Sequence, residues 1–160
     1  MNQLFLITGG NIGDRKKNLE NAAKLIRERI GAIKKSSKIY ETEAWGVRDQ
    51  PAFYNQVYLV ETSLSPEKVL KSILKIEEEM GRKRTTKNAA RIIDIDILFF
   101  NDQVVNEQNL VIPHPRIADR RFVLSPLNEI APQMIHPVLK KTMAELLSLT
   151  ADQLKVVALD

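Results

Sequence analysis

Cysteine is absent from all 160 residues, which removes disulfides and thiolate metal sites from consideration. Histidine occurs only twice, too few for a His-based zinc site. No apolar run approaches the roughly 20 residues needed to span a bilayer. The opening MNQLFLITGG is too short and too polar-flanked for a signal peptide and reads as a first strand. Together these absences predict a cytoplasmic chain with no membrane partner. Internal repeats, low-complexity tracts and linkers are also missing, so one domain over residues 1–160 is expected. A hydrophobic fraction of 44% and a charged fraction of 28% are ordinary for a soluble protein with a sizeable core.

Acid and base are nearly balanced outside one short stretch. The formal net charge is +4 and the pI about 9.3, which raises a nucleic-acid reading. Yet RKRTTKNAAR (82–91) holds five cations and no acid, and the rest of the chain is balanced. Directly after it comes the most hydrophobic run, ARIIDIDILFF (90–100), with two aspartates in its middle. Side chains alternate along a strand, so Asp94 and Asp96 share a face, about 7 Å apart. Two like charges at that spacing are costly unless a cation lies between them. Paired carboxylates on a strand suit Mg²⁺, which takes oxygen ligands and is commonly shared with substrate phosphates. The preceding arginines and lysines suit those same phosphates. The competing reading is a solvent-facing edge strand whose charges discourage aggregation.

The remaining pattern is β-α-β-β-α-β. A short strand (3–8) stops at Gly9-Gly10. A helix follows from about Asp14, striped by Leu19, Ala22, Ala23, Ile26 and Ile30. Residues 33–44 read as a more polar strand, 43–53 as a loop, and 55–62 as another strand. Ser65-Pro66 opens a second helix, with Val69, Ile73, Ile76 and Met80 as its stripe and Gly81 as its stop. This order predicts an α+β fold: a ferredoxin-like βαββαβ core, an antiparallel sheet with helices on one face, and a C-terminal helical extension.

Other constellations are ambiguous alone. TGGNIGDRKKN (8–18) fits neither G-x-x-x-x-G-K-[ST] nor G-x-G-x-x-G, and a tight turn with Asn11 or Asp14 capping the helix is the favoured reading. Phe53, Asn55, Val57 and Leu59 share a strand face, where an amide beside apolar neighbours suits the edge of a heterocycle. Trp45 lies in the preceding loop, and Phe122 follows a basic run. His114 has Arg116, Arg120 and Arg121 close by, consistent with either a loop or a phosphate contact.

NAARIIDIDILFF (88–100), MGRKRTTK (80–87), VIPHPRIADRRFVLSPLNEIAP (111–132), GGNIGDRKKNL and DQPAFYNQV (49–57) follow one another over nearly the whole chain. In that order they closely resemble the 6-hydroxymethyl-7,8-dihydropterin pyrophosphokinase family of folate biosynthesis. The resemblance implies transfer of pyrophosphate from ATP to the hydroxymethyl group of the pterin, giving AMP, with two Mg²⁺ ions bound with ATP. It implies Asp94 and Asp96 as metal ligands and Arg82 and Arg91 as catalytic residues. It implies Leu74, Glu77, Arg84, Ile97, His114, Arg116 and Arg120 at the ATP site. Phe53 and Phe122 would sandwich the pterin, with Thr42, Glu43, Trp45 and Asn55 around its edge. A monomer without nucleic-acid partners is expected.

The chain departs from the family pattern at Asn88 (often tryptophan), Leu74 (a nucleotide-contacting glutamine), Gly10 (serine) and Phe53 (often tyrosine). An RNA-binding domain of the same topology would need a [KR]-G-[FY]-[GA]-F-V-x-[FY] motif, which is missing, and aspartates on a central strand would repel phosphate. A small-ligand regulatory module would not need the metal pair.

Overall fold

The computed structural model describes residues 1–43, 50–81 and 92–159. Of the positions singled out above, Trp45, Arg82, Arg84, Asn88 and Arg91 lie outside the described residues. The elements run β1 (Asn2–Gly10), α1 (Arg15–Arg29), β2 (Ala32–Ser36), β3 (Tyr40–Thr42), β4 (Phe53–Thr62), α2 (Pro66–Glu79) and β5 (Asp94–Phe100). A hairpin of β6 (Val105–Glu107) and β7 (Leu110–Ile112) follows, then α3 (Arg121–Ile130), α4 (Met143–Leu149) and β8 (Val156–Ala158).

Local chemistry sets the helix ends. Asp14 caps α1 by accepting the Lys17 amide at 3.2 Å, as the tight-turn reading expects. Ser65 caps α2 by accepting the Lys68 amide at 3.3 Å, Pro66 occupies the first helical position, and Gly81 follows at φ +84°. Thr142 and Glu145 form a reciprocal capping box on α4.

The main sheet is antiparallel, in the order β5-β1-β4-β3-β8, with β2 also on β4. With β2 and β3 counted as halves of one strand, this is the ferredoxin-like order. The polar strand expected over 33–44 is thus two strands. Between them Ser37 turns its hydroxyl to the backbone, donating to Lys38 O at 2.7 Å and accepting from Val57 N at 3.0 Å. β5 is an edge strand of the sheet, not the central one the sequence suggested.

Alternate residues of the same strands feed two cores. Leu4, Leu6, Tyr58, Val60, Ile95 and Ile97 pack under α1 and α2 with Leu19, Ile26, Val69, Ile73 and Ile76. Phe5, Ile7, Val57, Leu98 and Phe99 pack under α3 and α4 with Val123, Leu124, Leu127, Met143 and Leu146. Helices therefore cover both faces of the sheet and not the single face expected, because β1 and β5 carry apolar side chains on both faces and both need cover. A register shift where β1 meets β5, at Phe5/Leu6, turns Leu98 and Phe99 to the same side. The C-terminal extension is also more than helical, since β8 returns to the main sheet beside β3.

Candidate functional site

On the α3 side, the sheet is not covered to its end. There the strands line up as Tyr40, Asn55, Gly9 and Asp94 across β3, β4, β1 and β5. The next row holds Val57, Ile7 and Asp96, and Thr42 pairs with Phe53. Thr42, Glu43, Phe53, Asn55, Asp94 and Asp96 therefore line one cleft, closed from the far side by His114, Arg116, Arg120 and Phe122. Ten sequence-selected residues meet in one place, drawn from four segments of the chain.

Several are held by identifiable contacts. Asp94 and Asp96 are half-buried, and Ile95 between them is buried on the opposite face. Asn55 is buried and its Nδ2 donates to Thr8 O at 3.3 Å. That side chain lies over β1 where a Cβ on Gly9 would stand 1.9 Å from Nδ2, so only glycine fits. Gly9 and Gly10 consequently continue β1 rather than ending it. Thr42 is buried, and its Oγ1 has no hydrogen-bond partner among the described residues. A buried hydroxyl in that state is costly and suits a ligand that supplies the partner.

The cationic side is anchored to β5 through His114, whose amide donates to Leu98 O at 3.0 Å. His114 Nδ1 accepts the Arg116 amide at 3.1 Å, which leaves Nε2 to carry the proton of the neutral ring. Burial, and then the neighbouring Arg120 cation, push this imidazole down to about 4; Asp94 pulls the other way. Arg120 is half-buried and its pKa is also lowered, by burial and Arg116, against the pull of Asp96 and Asp94. It remains a cation, because arginine does not deprotonate in proteins. Its guanidinium carbon lies 5.6 Å from the centre of the Phe122 ring. Arg116 pairs with Asp119 at 3.3 Å on the exposed rim.

Three of the expected nucleotide positions do not line the cleft. Ile97 faces the helix-side core. Glu77 is buried on α2, where its Oε2 accepts the Ile95 amide at 2.8 Å. Leu74 is exposed on α2. The structure adds Ile7, Thr8, Gly9, Leu98, Asp119, Val123, Asp152 and Leu154 to the lining. Gly9 had a signal, a glycine within a strand, which marks close approach of another group. Asp152 and Leu154 lie in a tail with no such pattern.

Hard oxygen donors fit Mg²⁺, and Asp94 and Asp96 present theirs from one strand face. Among the described residues no group of three or more acids or histidines could hold a metal alone. A two-carboxylate set is what magnesium uses when phosphate oxygens and water complete its shell.

Strand order and cleft define a ferredoxin-like α+β protein with an acidic floor, a cationic wall and a ring-lined end. Residues 5–132 match the family model of 7,8-dihydro-6-hydroxymethylpterin-pyrophosphokinase (HPPK). The chain is 41% identical over 145 residues to a 2-amino-4-hydroxy-6-hydroxymethyldihydropteridine pyrophosphokinase of Aquifex aeolicus, covering 91% of this chain and 90% of that one. It is 39% identical over 135 residues to the folic acid synthesis protein fol1 of Pneumocystis carinii, covering 84% of this chain but spanning only 18% of that longer protein. The fold matches the crystal structure of wild-type Plasmodium falciparum HPPK-DHPS with SDX-DHP at a TM-score of 0.76, with 23% identity, over 92% of this chain and 43% of that one. The chain belongs to the HPPK family.

Proposed function

We propose that this chain transfers pyrophosphate from ATP to the hydroxymethyl group of 6-hydroxymethyl-7,8-dihydropterin, giving AMP and the pterin diphosphate for tetrahydrofolate synthesis. The observation that carries the reading is the meeting, in one cleft, of two carboxylates, a cationic wall and an aromatic pair beside a buried amide. Family membership supplies the reaction.

Phe53 and Phe122 stack on the two faces of the pterin, a contact worth about 1–3 kcal/mol including burial. Asn55 offers a donor and an acceptor to the heterocycle edge, and Thr42 and Glu43 border it. The hydroxymethyl oxygen then points along the floor toward the aspartates. In the reaction this oxygen bonds to the β-phosphorus of ATP as the bond from that phosphorus to the α,β-bridging oxygen breaks. AMP leaves with the bridging oxygen, and the hydroxyl proton passes to solvent. Asp94 and Asp96 would hold two Mg²⁺ ions; when bound with ATP, these supply charge neutralisation and alignment of the phosphates. Arg116 and Arg120 neutralise polyphosphate charge, and His114 donates from Nε2 as a neutral ring. Arg82 and Arg91 serve charge that develops during transfer, and Arg84 assists in holding ATP. Trp45 completes the pterin edge. Positioning and electrostatics account for this chemistry without a general base.

The reading describes one pyrophosphokinase domain over 1–160, acting as a cytoplasmic monomer without nucleic-acid or membrane partners. Among the described residues, no helix is long and apolar enough to cross a membrane. The test is AMP release from ATP and Mg²⁺ with and without hydroxymethyl-dihydropterin. Pterin-dependent AMP formation is expected; ATP turnover indifferent to pterin, or none, would overturn the assignment.

A further inference from the structure

The tail after α4 comes back to the cleft. Asp152 uses both carboxylate oxygens: Oδ2 accepts the Arg121 amide at 2.8 Å and Oδ1 accepts the Leu154 amide at 3.0 Å. Its carbonyl accepts Arg121 Nε at 3.2 Å. Arg121 is the first residue of α3, and Arg120 before it makes no side-chain cap. A carboxylate here does from outside the helix what an N-cap does from within, satisfying an amide at the positive end of the dipole. The chain then joins β3, with Val156 opposite Thr42, and the Leu159 amide donates to Ile39 O at 2.8 Å. Between these two anchors, Asp152 and Leu154 line the cleft with Phe122 and Thr42.

We propose that this C-terminal segment is one side of the ring-substrate pocket: Asp152 is a positioning residue that sets the first turn of α3, and Leu154 is an apolar wall. The inference rests on the proposed placement of the pterin between Phe53 and Phe122. Phe122 is the second residue of the turn that Asp152 caps. The other end of α3 is held separately: Glu129 accepts the Tyr40 hydroxyl at 2.7 Å and the Lys38 amide at 3.0 Å. Burial, and then this carboxylate, keep the Tyr40 hydroxyl well above its ordinary pKa, so it stays a donor. Losing Asp152 therefore loosens the turn that carries the ring and leaves the helix attached. Covering the open edge of β3 would need only β8; it would not need a carboxylate at the start of α3 or a leucine facing the cleft.

The experiment is calorimetric titration of the full chain, with Mg²⁺ and a non-hydrolysable ATP analogue, by 6-hydroxymethyl-7,8-dihydropterin. Asp152→Ala should weaken pterin binding about tenfold, the equivalent of a lost cap, while the affinity for the ATP analogue moves less than about threefold. Asp152→Asn should recover most of the loss, because its amide oxygen still accepts the Arg121 amide. Leu154→Ala, which keeps the cap, should weaken pterin binding about threefold to tenfold through lost apolar contact. If Asp152→Ala does not fold, Leu154→Ala decides the matter. Unchanged pterin affinity in Leu154→Ala and in whichever Asp152 variants fold, or equal losses for pterin and nucleotide, would overturn the inference. A parent chain that binds no pterin would instead sink the active-site reading, and this inference with it.

Discussion

Asp94, Ile95 and Asp96 are consecutive, yet they belong to two different environments. Ile95 is 3% exposed under α1 and α2, in a core closed by helices along the strands. The aspartates lie on the other face, where α3 and α4 cover only the Phe5, Val57 and Phe99 end and leave the Asn55, Gly9 and Asp94 end open. One face is filled with side chains that need only each other. The other holds half-buried carboxylates, an amide and a hydroxyl. The first face should answer to mutation in stability and the second in activity.

Neighbouring substitutions would break that contrast most directly. Asp96→Asn keeps shape and removes a charge that, in the proposed reading, would hold Mg²⁺. If the metal supplies about 4 kcal/mol of transition-state stabilisation, AMP formation should fall roughly 10³-fold. Thermal melting should stay near that of the parent; a mutant with near-normal turnover, or one that unfolds, would make the aspartates structural.

Ile95→Ala, one residue away, should do the reverse. Deleting a buried isoleucine side chain costs about 2–5 kcal/mol, read as a lower denaturant midpoint. Turnover per folded molecule should be close to the parent's, and a large loss of kcat without a loss of stability would erase the distinction between the faces.

Phe122→Ala sharpens the comparison within the open face. Pterin binding should weaken by about 1–3 kcal/mol with little change for nucleotide. Equal losses in both titrations would assign Phe122 to folding.

The last effect is expected from pH, in stability rather than in activity. His114 is held down to about 4 in the folded chain against an ordinary 6.5. The unfolded chain binds the proton more readily, so this group's contribution to stability is complete above about 6.5 and is lost as pH falls through about 4. Melting temperature should decline over that window, and His114→Gln should flatten the decline. An identical slope in the variant would show that other groups set the acid limb.

Several of these features are legible along the chain. Asp14, Ser65-Pro66 and Gly81 mark helix ends because caps and stops depend on a few adjacent residues. Phe53, Asn55 and Val57 can be assigned to one face by alternation alone, as can Asp94 and Asp96. The break between β2 and β3 is less legible, because it depends on Ser37 meeting Val57 twenty residues away. Gly9 and Gly10 read as a turn but continue a strand, since the reason for a glycine there is the Asn55 side chain of another strand.

By itself, the sequence determined what local geometry can determine: where the first two helices and the main strands of the core lie, which residues share a face, and that acids, cations and rings occur in a family-specific order. Those properties follow from strand alternation, helix caps and motif spacing, all short-range. Only the tertiary structure decided that Gly9 stands between Asn55 and Asp94, that α3 lies across from α1 and α2, and that the tail at Asp152 and Leu154 closes one side of the cleft. Strand order and tail docking are settled by burying surfaces far apart in sequence, and no window of ten residues contains both partners of such a contact.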